Sequence, residues 1–241
     1  MAGLDEQGKR RRGPFLYGRR ATHALTASER ELLDHHGPAL RLDLSRPPPA
    51  DLRDLFRNDT ESAGDVERVT LEIGFGSGEH LLHRLHEDER TGRIGVEPFV
   101  NGMARLVSRW SENPVPRLRL YDNDASLLFD WLPDASLDHL DVLYPDPWRK
   151  GRHHKRRIVG PKTLGPIARV LRPGATFHFA SDWPDYVNWT LYHVRAHAAF
   201  EWRATSRGDW DIPFEGWPGT RYEAKALREG RTPAYLRFRR N

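Results

Sequence analysis

A carboxylate bracketed by two prolines is the feature of this sequence best suited to chemistry. Asp146 lies between Pro145 and Pro147, and Tyr144 and Trp148 flank these three residues. A proline fixes its own φ and disfavours helix in the residue before it, so this aspartate lies on stiff backbone. A rigid carboxylate beside aromatic rings suits a planar substrate that donates hydrogen bonds. The segment therefore predicts a substrate site.

A basic run follows this segment directly. Residues 149–157 contain six Arg and Lys and no acid. Aromatic residues followed by cations indicate a base pocket beside a phosphate track, although a basic surface loop that aids solubility is the alternative. A second basic segment, residues 9–20, is more typical of a solubilising tail. The whole chain carries a net charge of +4, and the chain without these two basic segments is net acidic. This pattern predicts a polyanionic partner at a defined place.

A glycine-rich turn, LEIGFGSG, joins the first predicted strand to a helix and contains Glu72, Gly74, Gly76 and Gly78. Such glycines let backbone approach a ligand and expose helix N-terminal amides. The dinucleotide pattern G-x-G-x-x-G requires glycine where Glu79 stands, and the sequence contains no G-x-x-x-x-G-K-[ST] motif for nucleoside triphosphates. An acid before the turn suits a ligand with a cationic end and no pyrophosphate, such as S-adenosylmethionine.

Two further acids follow the next two predicted strands. Glu97 lies where an acid can accept hydrogen bonds from ribose hydroxyls, and Asp124 lies where it can accept one from an adenine amino group. For any one acid alone, an ordinary helix cap or a solvated strand end is the preferred interpretation, and Glu97 would also serve a nicotinamide dinucleotide. Three acids at successive strand ends, Glu72 included, favour a binding site.

These residues are positioned by strand and helix patterns that alternate from residue 69 onward. Such alternation predicts a parallel sheet with helices on both faces. The predicted strands are residues 69–75, 93–98, 117–124, 137–147, 175–182, 201–206 and 234–240. The predicted helices are residues 26–36, 78–89, 99–112, 125–132, 162–172 and 183–200.

The chain is predicted to hold a flexible basic arm and one domain. The arm is residues 1–14, and the domain is residues 15–241, with a helical lead-in over 15–65 and a core over 66–241. In the lead-in, Thr26 or Ser28 is expected to cap the first helix, and residues 58–65 form a loop. Residues 208–233 are predicted to form a long insert, the kind of loop that is usually functional or mobile.

Composition excludes several classes of protein. The 241 residues are 38% hydrophobic and include no cysteine, which excludes disulfide scaffolds, zinc knuckles and cysteine nucleophiles. No apolar run approaches the roughly 20 residues that span a bilayer, and the N terminus lacks a secretory pattern. The 12 histidines show no metal-ligand spacing. We therefore expect a soluble cytoplasmic protein with no membrane segment and no metal.

Four motifs occur in a fixed order along the chain. They are LEIGFGSG, then P-D-P-W-x-K with R-H-x-K-R-R, then Ser181-Asp182-Trp183, and finally Thr220-Arg221-Tyr222-Glu223. Together they resemble the bacterial tRNA (guanine-N7)-methyltransferase family, over about residues 15 to 241. The proline-bracketed motif is the specific part, since many methyltransferases share the glycine turn.

The resemblance implies a fold and an activity. The fold is α/β and Rossmann-like, of the class I methyltransferase type, with a doubly wound, mostly parallel, seven-stranded sheet, helices on both faces and an antiparallel last strand. The activity is methyl transfer from S-adenosylmethionine to N7 of the variable-loop guanine at tRNA position 46. The oligomeric state, monomer or homodimer, stays open.

The resemblance also implies site roles by position. Asp146 is implied to be the catalytic residue and to contact S-adenosylmethionine. The other implied cofactor residues are Glu72, Gly74, Gly76, Gly78, Glu97 and Asp124. The implied substrate residues are Lys150, Asp182, Thr220, Arg221, Tyr222 and Glu223. The implied RNA contacts are Arg152, His153, His154, Lys155, Arg156 and Arg157.

Three departures and three alternatives accompany the resemblance. Ser181 stands where threonine is common, Arg149 replaces a smaller residue or proline, and the arm before Pro14 has no family counterpart. The first alternative is a methyltransferase for another RNA, a protein or a small molecule. The second is an RNA-binding relative without catalysis, and the third is a nicotinamide-dependent oxidoreductase.

Overall fold

A computed structural model describes residue 17 and residues 20–57 and 66–241 of the chain. The arm predicted for residues 1–14 and the loop predicted for residues 58–65 lie outside the described residues, so both stay predictions. The chain divides into two compact units, Met1–Pro133 and Asp134–Asn241.

In residues 20–57 and 66–133 of the first unit, three parallel strands follow the order β3-β2-β1. Every residue of β2 is buried, as are all but the first of β1, as expected of parallel strands that are covered on both faces. The strand ends are in register, because Ile73 pairs with Val96 and Val96 with Tyr121. The bounds are β1 Arg68–Ile73, β2 Thr91–Val96 and β3 Leu118–Tyr121.

The described residues of the first unit also form four α-helices and one 3-10 helix. Thr26 and Glu29 form a reciprocal capping box, which confirms the predicted cap of the first helix. Leu85, Leu106 and Val107 are among the buried residues of a core that the helices share with β3. The α-helices are α1 Ala27–Leu40, α2 Glu79–Glu87, α3 Val100–Glu112 and α4 Ala125–Trp131, and the 3-10 helix is Leu52–Phe56.

The second unit contains four strands in the order β4-β5-β7-β6. Strands β4 and β5 are parallel, and β7 is antiparallel to both β5 and β6. Its helices begin with a 3-10 helix, Gly151–Arg156. The strands are β4 Leu137–Leu143, β5 Leu171–Ser181, β6 Phe200–Trp202 and β7 Ala234–Arg240. The α-helices are α5 Leu164–Val170, α6 Pro184–Arg195, α7 Gly208–Asp211 and α8 Arg221–Arg228.

Two predictions about the second unit are corrected. The helix predicted to run until Pro173 ends at Val170, and Leu171 already begins β5. A register shift between β4 and β5 accommodates the proline, which cannot donate to a ladder. The predicted long insert contains α7 and α8, and a capping box of Thr220 and Glu223 begins α8.

All seven strands belong to one sheet with the order β3-β2-β1-β4-β5-β7-β6. The sheet is mostly parallel, with β7 antiparallel and helices around it, so the predicted fold class is confirmed. Over residues 20–57 and 66–241, the structure contains no helix with the length and apolar character needed to cross a bilayer.

Candidate active site

The glycine-rich turn of the first unit has a left-handed backbone at three positions. The φ angles of Gly74, Gly76 and Gly78 are 76°, 61° and 78°, a region that only glycine adopts at little cost. Gly78 is the N-cap of α2. A Cβ added to Gly74 would meet no described heavy atom within 4 Å. The turn therefore presents backbone to open space at Gly74, whereas a Cβ on Gly78 would lie 2.5 Å from Leu106 Cδ1.

A glycine of α3 lets that helix approach the turn. A Cβ on Gly102 would lie 2.3 Å from the carbonyl oxygen of Gly76. The sequence signal for this close approach is a glycine inside a helical pattern.

Glu97 holds the glycine turn in place. Its Oε2 accepts a hydrogen bond from the Gly76 amide at 2.8 Å, and its Oε1 accepts one from the Phe99 amide at 3.0 Å. The side chain is buried at the end of β2. These two bonds tie the glycine turn to the end of β2 and to the start of the following helix.

Glu72 pairs with a residue that sequence reasoning missed. His80 of α2 lies with Nδ1 2.8 Å from Glu72 Oε2, and both side chains are buried. The pair orients the carboxylate of Glu72. Glu72 and His80 are eight residues apart, on the strand and the helix that the turn joins. This spacing predicts a contact between them only when the geometry of the turn is known.

Asp124 caps the helix that follows β3. Its Oδ1 accepts hydrogen bonds from the amide and the hydroxyl of Ser126, at 2.8 and 2.7 Å. Asp124 therefore acts as a helix cap, and its role toward a ligand stays a prediction. Because the three strands end in register, Glu72, Glu97, Asp124 and the glycine turn lie at the same edge of this unit.

The proline-bracketed segment of the second unit has strained backbone at both ends. Tyr144 and Trp148 have φ angles of 49° and 44° without being glycine. Bulky residues adopt this region at a cost and mostly where function requires it. Tyr144 also packs against a buried cluster that includes Phe214 and Tyr235. The segment of residues 144–148 is called the aspartate loop below.

Asp146 is exposed on the aspartate loop. The protein atoms around its carboxyl nevertheless displace part of its water, and this desolvation raises the pKa of Asp146 above its usual value. An accessible carboxylate with a raised pKa on strained backbone has the features of a functional group rather than of a structural ion pair.

Arg157 supports the aspartate loop by a hydrogen bond to its backbone. Its Nε donates to the carbonyl oxygen of Pro147 at 2.9 Å, and its Nη2 donates to Asp185. The guanidinium carbon lies 4.7 Å and 5.3 Å from the ring centroids of Tyr186 and Trp189. Arg157 is only 2% exposed, so its placement argues against the predicted RNA contact and assigns it a supporting role.

The other cations of the basic run are more accessible. Arg152 and Lys155 are exposed on the 3-10 helix, and Lys150 is exposed just before it. Arg156 lies 4.9 Å from the ring centroid of Trp148. Desolvation, together with the surrounding cations, lowers the pKa of His153. These residues form a positively charged face, called the basic face below, beside the aspartate loop.

His154 lies at the edge of the basic face. Its Nε2 is 3.4 Å from Asp185 Oδ2, and its ring packs edge-on against Trp189 at 5.4 Å. It is half-buried, so it supports the 3-10 helix and presents less surface than Arg152 or Lys155.

Asp182 follows β5 and pairs with Arg231, which sequence reasoning missed. Arg231 Nε donates to Asp182 Oδ2 at 2.6 Å. The hydroxyl of Ser181 accepts from the Trp183 amide at 3.2 Å, the interaction that the threonine common at this position would also make. Arg149 lies 4.2 Å from the Trp183 ring centroid, which occupies one face of that ring.

The predicted substrate residues of α8 divide into two kinds. Thr220 and Glu223 build the helix N-terminus, and the Glu223 carboxylate also accepts from Trp217 Nε1 at 2.8 Å and from the Tyr235 hydroxyl. Arg221 and Tyr222 are exposed and interact with each other. Only the second kind presents side chains that a substrate could contact without rearrangement.

Comparison with known proteins identifies the family. A family model described as "Putative methyltransferase" matches residues 66–235. A tRNA (guanine-N(7)-)-methyltransferase of Brucella melitensis biotype 1 is 53% identical over 98% of both chains. One of Rhizobium meliloti is 55% identical over 93% of this chain and 94% of its own. The solved structure of 16S rRNA methyltransferase KamB is similar with a TM-score of 0.57 at 18% identity, covering 81% of this chain and 95% of its own.

The KamB likeness supports the fold alone, whereas the two sequence relatives share about half of all residues over nearly their whole lengths. The resemblance inferred from the four motifs is thereby confirmed. The chain belongs to the tRNA (guanine-N(7)-)-methyltransferase family.

Proposed function

We propose that this protein transfers the methyl group of S-adenosylmethionine to N7 of the variable-loop guanine, position 46, of tRNA. The observation that carries the proposal is the exposed Asp146 on a braced, strained loop directly beside the basic face. The relatives that bear this activity in their names support it over nearly the full chain. We further propose that residues 15–241 act as one methyltransferase domain in the cytoplasm, where tRNA is found.

The residues of the first unit fit S-adenosylmethionine. The open space above Gly74 accommodates a ligand against the backbone. Buried Glu97 would accept hydrogen bonds from ribose hydroxyls, and Asp124 from the adenine amino group. Glu72, held by His80, supplies negative charge for the cationic end. When bound, S-adenosylmethionine supplies an electrophilic methyl group on a sulfonium.

Guanine N7 has a lone pair and carries no proton, so the protein needs no general base for this reaction. Its task is to position the purine and to favour the positive charge that develops on it. Asp146 would accept hydrogen bonds from guanine N1–H and N2–H, and its negative charge would stabilise the methylated, cationic purine. Asp182, oriented by Arg231, would share this task.

The basic face would hold the RNA while the base is exposed. A-form RNA hides N7 in a deep and narrow groove, so the guanine must be displaced before it can react. Arg152, Lys155 and Arg156 would bind phosphates, with His153 and His154 beside them. Lys150, Arg221 and Tyr222 would contact the displaced nucleotide, and Thr220 and Glu223 would position them by building α8.

The test is methyl transfer to unmodified tRNA transcripts, mapped by chain cleavage at 7-methylguanine. We expect one modified site, in the variable loop, and no reaction when that guanine is replaced by adenine. Methylation at another atom or loop would overturn the substrate assignment. Equal activity on free guanosine would remove the role of the basic face.

A further inference from the structure

Two histidines and an aspartate converge on one face of the β4–β5 pair. His139 and Asp141 are two residues apart on β4, so their side chains point to the same face. His178 on β5 is the register partner of Asp141. Only the pairing of two strands far apart in sequence brings the three together.

The donor atoms are close enough to share one ion. His139 Nε2 lies 2.8 Å from Asp141 Oδ1, and His178 Nδ1 lies 3.4 Å from the same oxygen. All three donor atoms fall within 4.8 Å of one another. Zinc binds nitrogen and oxygen ligands at about 2.0–2.2 Å, which places the ligand atoms of one ion roughly 3–3.5 Å apart. Small side-chain rotations would satisfy that geometry.

The surroundings are those of a partly enclosed site. The side chains of His139, Asp141 and His178 are 22%, 7% and 19% exposed. Phe214 stacks on the His178 ring at 3.8 Å, with 2° between the planes. Arg237 of β7 pairs with His178 in register, but its guanidinium donates to backbone carbonyl oxygens between residues 209 and 213. Its charge is thereby partly compensated.

Two imidazoles and one carboxylate form a donor set that suits first-row transition metals and not the oxygen-seeking Mg²⁺ or Ca²⁺.

We propose that His139, Asp141 and His178 form a binding site for a divalent first-row transition metal ion, represented here by Zn²⁺. Three protein donors leave one position for water. The metal would link β4 and β5 shortly before these strands lead into Asp146 and Asp182, so its expected role is to stabilise the strand pair.

The test uses the full-length protein, freed of any tag and treated with a chelator. Zn²⁺ is titrated by calorimetry, and Co²⁺ is titrated as a spectroscopic probe whose visible absorption reports ligand geometry. We expect one equivalent to bind and to raise Tm. His139→Ala and Asp141→Asn should weaken binding by roughly 100-fold, as loss of a ligand or its orientation does. His86→Ala, an exposed histidine on α2, is the matched control and should bind like the wild type.

Circular dichroism would verify that each variant is folded, and His139 is the least buried of the three, which makes its variant the safest. A wild-type protein without saturable one-to-one binding, or His139→Ala and Asp141→Asn variants with wild-type affinity, would overturn the metal site. The cluster would then be a hydrogen-bond network only. Because binding is read without methyl transfer, this outcome leaves the proposed function untouched.

Discussion

The glycine turn of residues 74–78 and the aspartate loop of residues 144–148 reach left-handed backbone in opposite ways. Both follow a buried parallel strand. The first uses three glycines, for which positive φ costs little, and the second uses Tyr144 and Trp148, for which it costs about 1–3 kcal/mol each. Glycines suit a surface that a ligand must approach closely. Strained aromatic residues suit a loop that must hold one side chain in a single place.

The two loops also use their carboxylates differently. In the glycine turn the acid builds the loop, since Glu97 accepts the Gly76 amide. In the aspartate loop a buried cation does the building, because Arg157 holds the Pro147 carbonyl and Asp146 stays exposed. The contrast predicts which substitutions damage chemistry and which damage structure.

The largest expected effect is the loss of activity when the exposed carboxylate of Asp146 is removed. Asp146→Ala should lower kcat by roughly 10²–10³-fold, because the acceptor and the charge that position guanine are lost. Initial rates on tRNA transcripts measure this. Asp130→Ala, an exposed aspartate on α4, is the control and should keep full activity. Full activity of Asp146→Ala would contradict the claim that Asp146 acts on the substrate whereas Glu97 has a structural role.

The brace of the aspartate loop should be the next most sensitive position. Arg157→Ala should reduce the free energy of unfolding by about 1–3 kcal/mol, because the Pro147 carbonyl loses its partner, and kcat should fall with it. Urea unfolding and steady-state kinetics are the measurements. Arg152→Ala should instead raise KM for tRNA with little change in stability. Identical behaviour of the two variants would contradict the division between buried and exposed arginines.

The glycine turn can be tested through the helix that packs on it. Gly102→Ala would place a Cβ 2.3 Å from the Gly76 oxygen and should weaken S-adenosylmethionine binding about 10-fold, at a cost in stability of about 1–3 kcal/mol. Calorimetry gives the affinity. Gly165→Ala on α5, where a Cβ would meet no described atom within 4 Å, is the matched control. Unchanged affinity in Gly102→Ala would show that the turn tolerates displacement.

The raised pKa of Asp146 predicts a distinctive pH dependence. Protonation removes the charge and an acceptor, so kcat/KM should fall as pH drops through a pKa above the ordinary 3.8 of an aspartate. Because the fold disfavours the ionised form, Asp146 should destabilise the protein above that pKa. Asp146→Asn should therefore match or exceed the wild-type Tm at neutral pH. A lower Tm would indicate a structural ion pair at this position.

The smallest expected effect concerns the salt dependence of tRNA binding. Three cations of the basic face, the exposed Arg152 and Lys155 and the half-buried Arg156, should give a log–log slope of about −2 to −3, at roughly 0.7–0.9 per phosphate contact. Arg152→Ala should reduce the magnitude of the slope by the roughly 0.7–0.9 that one phosphate contact contributes, and Arg157→Lys should leave the slope unchanged. Filter binding over a salt series measures both. A flat response would remove the phosphate track.

Much of the fold followed from local patterns. Every predicted strand has a counterpart, because buried parallel strands are continuous apolar runs that end in polar or glycine residues. The miss at Pro173 arose because a proline that stops a helix can equally begin a strand beside a register shift. The miss at α8 arose because its capping box lies among glycines and prolines typical of loops.

The sequence by itself determined the family, the order of the elements and the placement of Glu72, Glu97, Asp124 and Asp146 at strand ends. Those features depend on residue type and on spacing along the chain, both of which are local. Tertiary structure alone decided that Arg157 is buried among aromatic rings and that Gly102 admits α3 to the turn. It alone brought His139 and His178 together, because each of these contacts joins residues separated by tens of positions in the sequence.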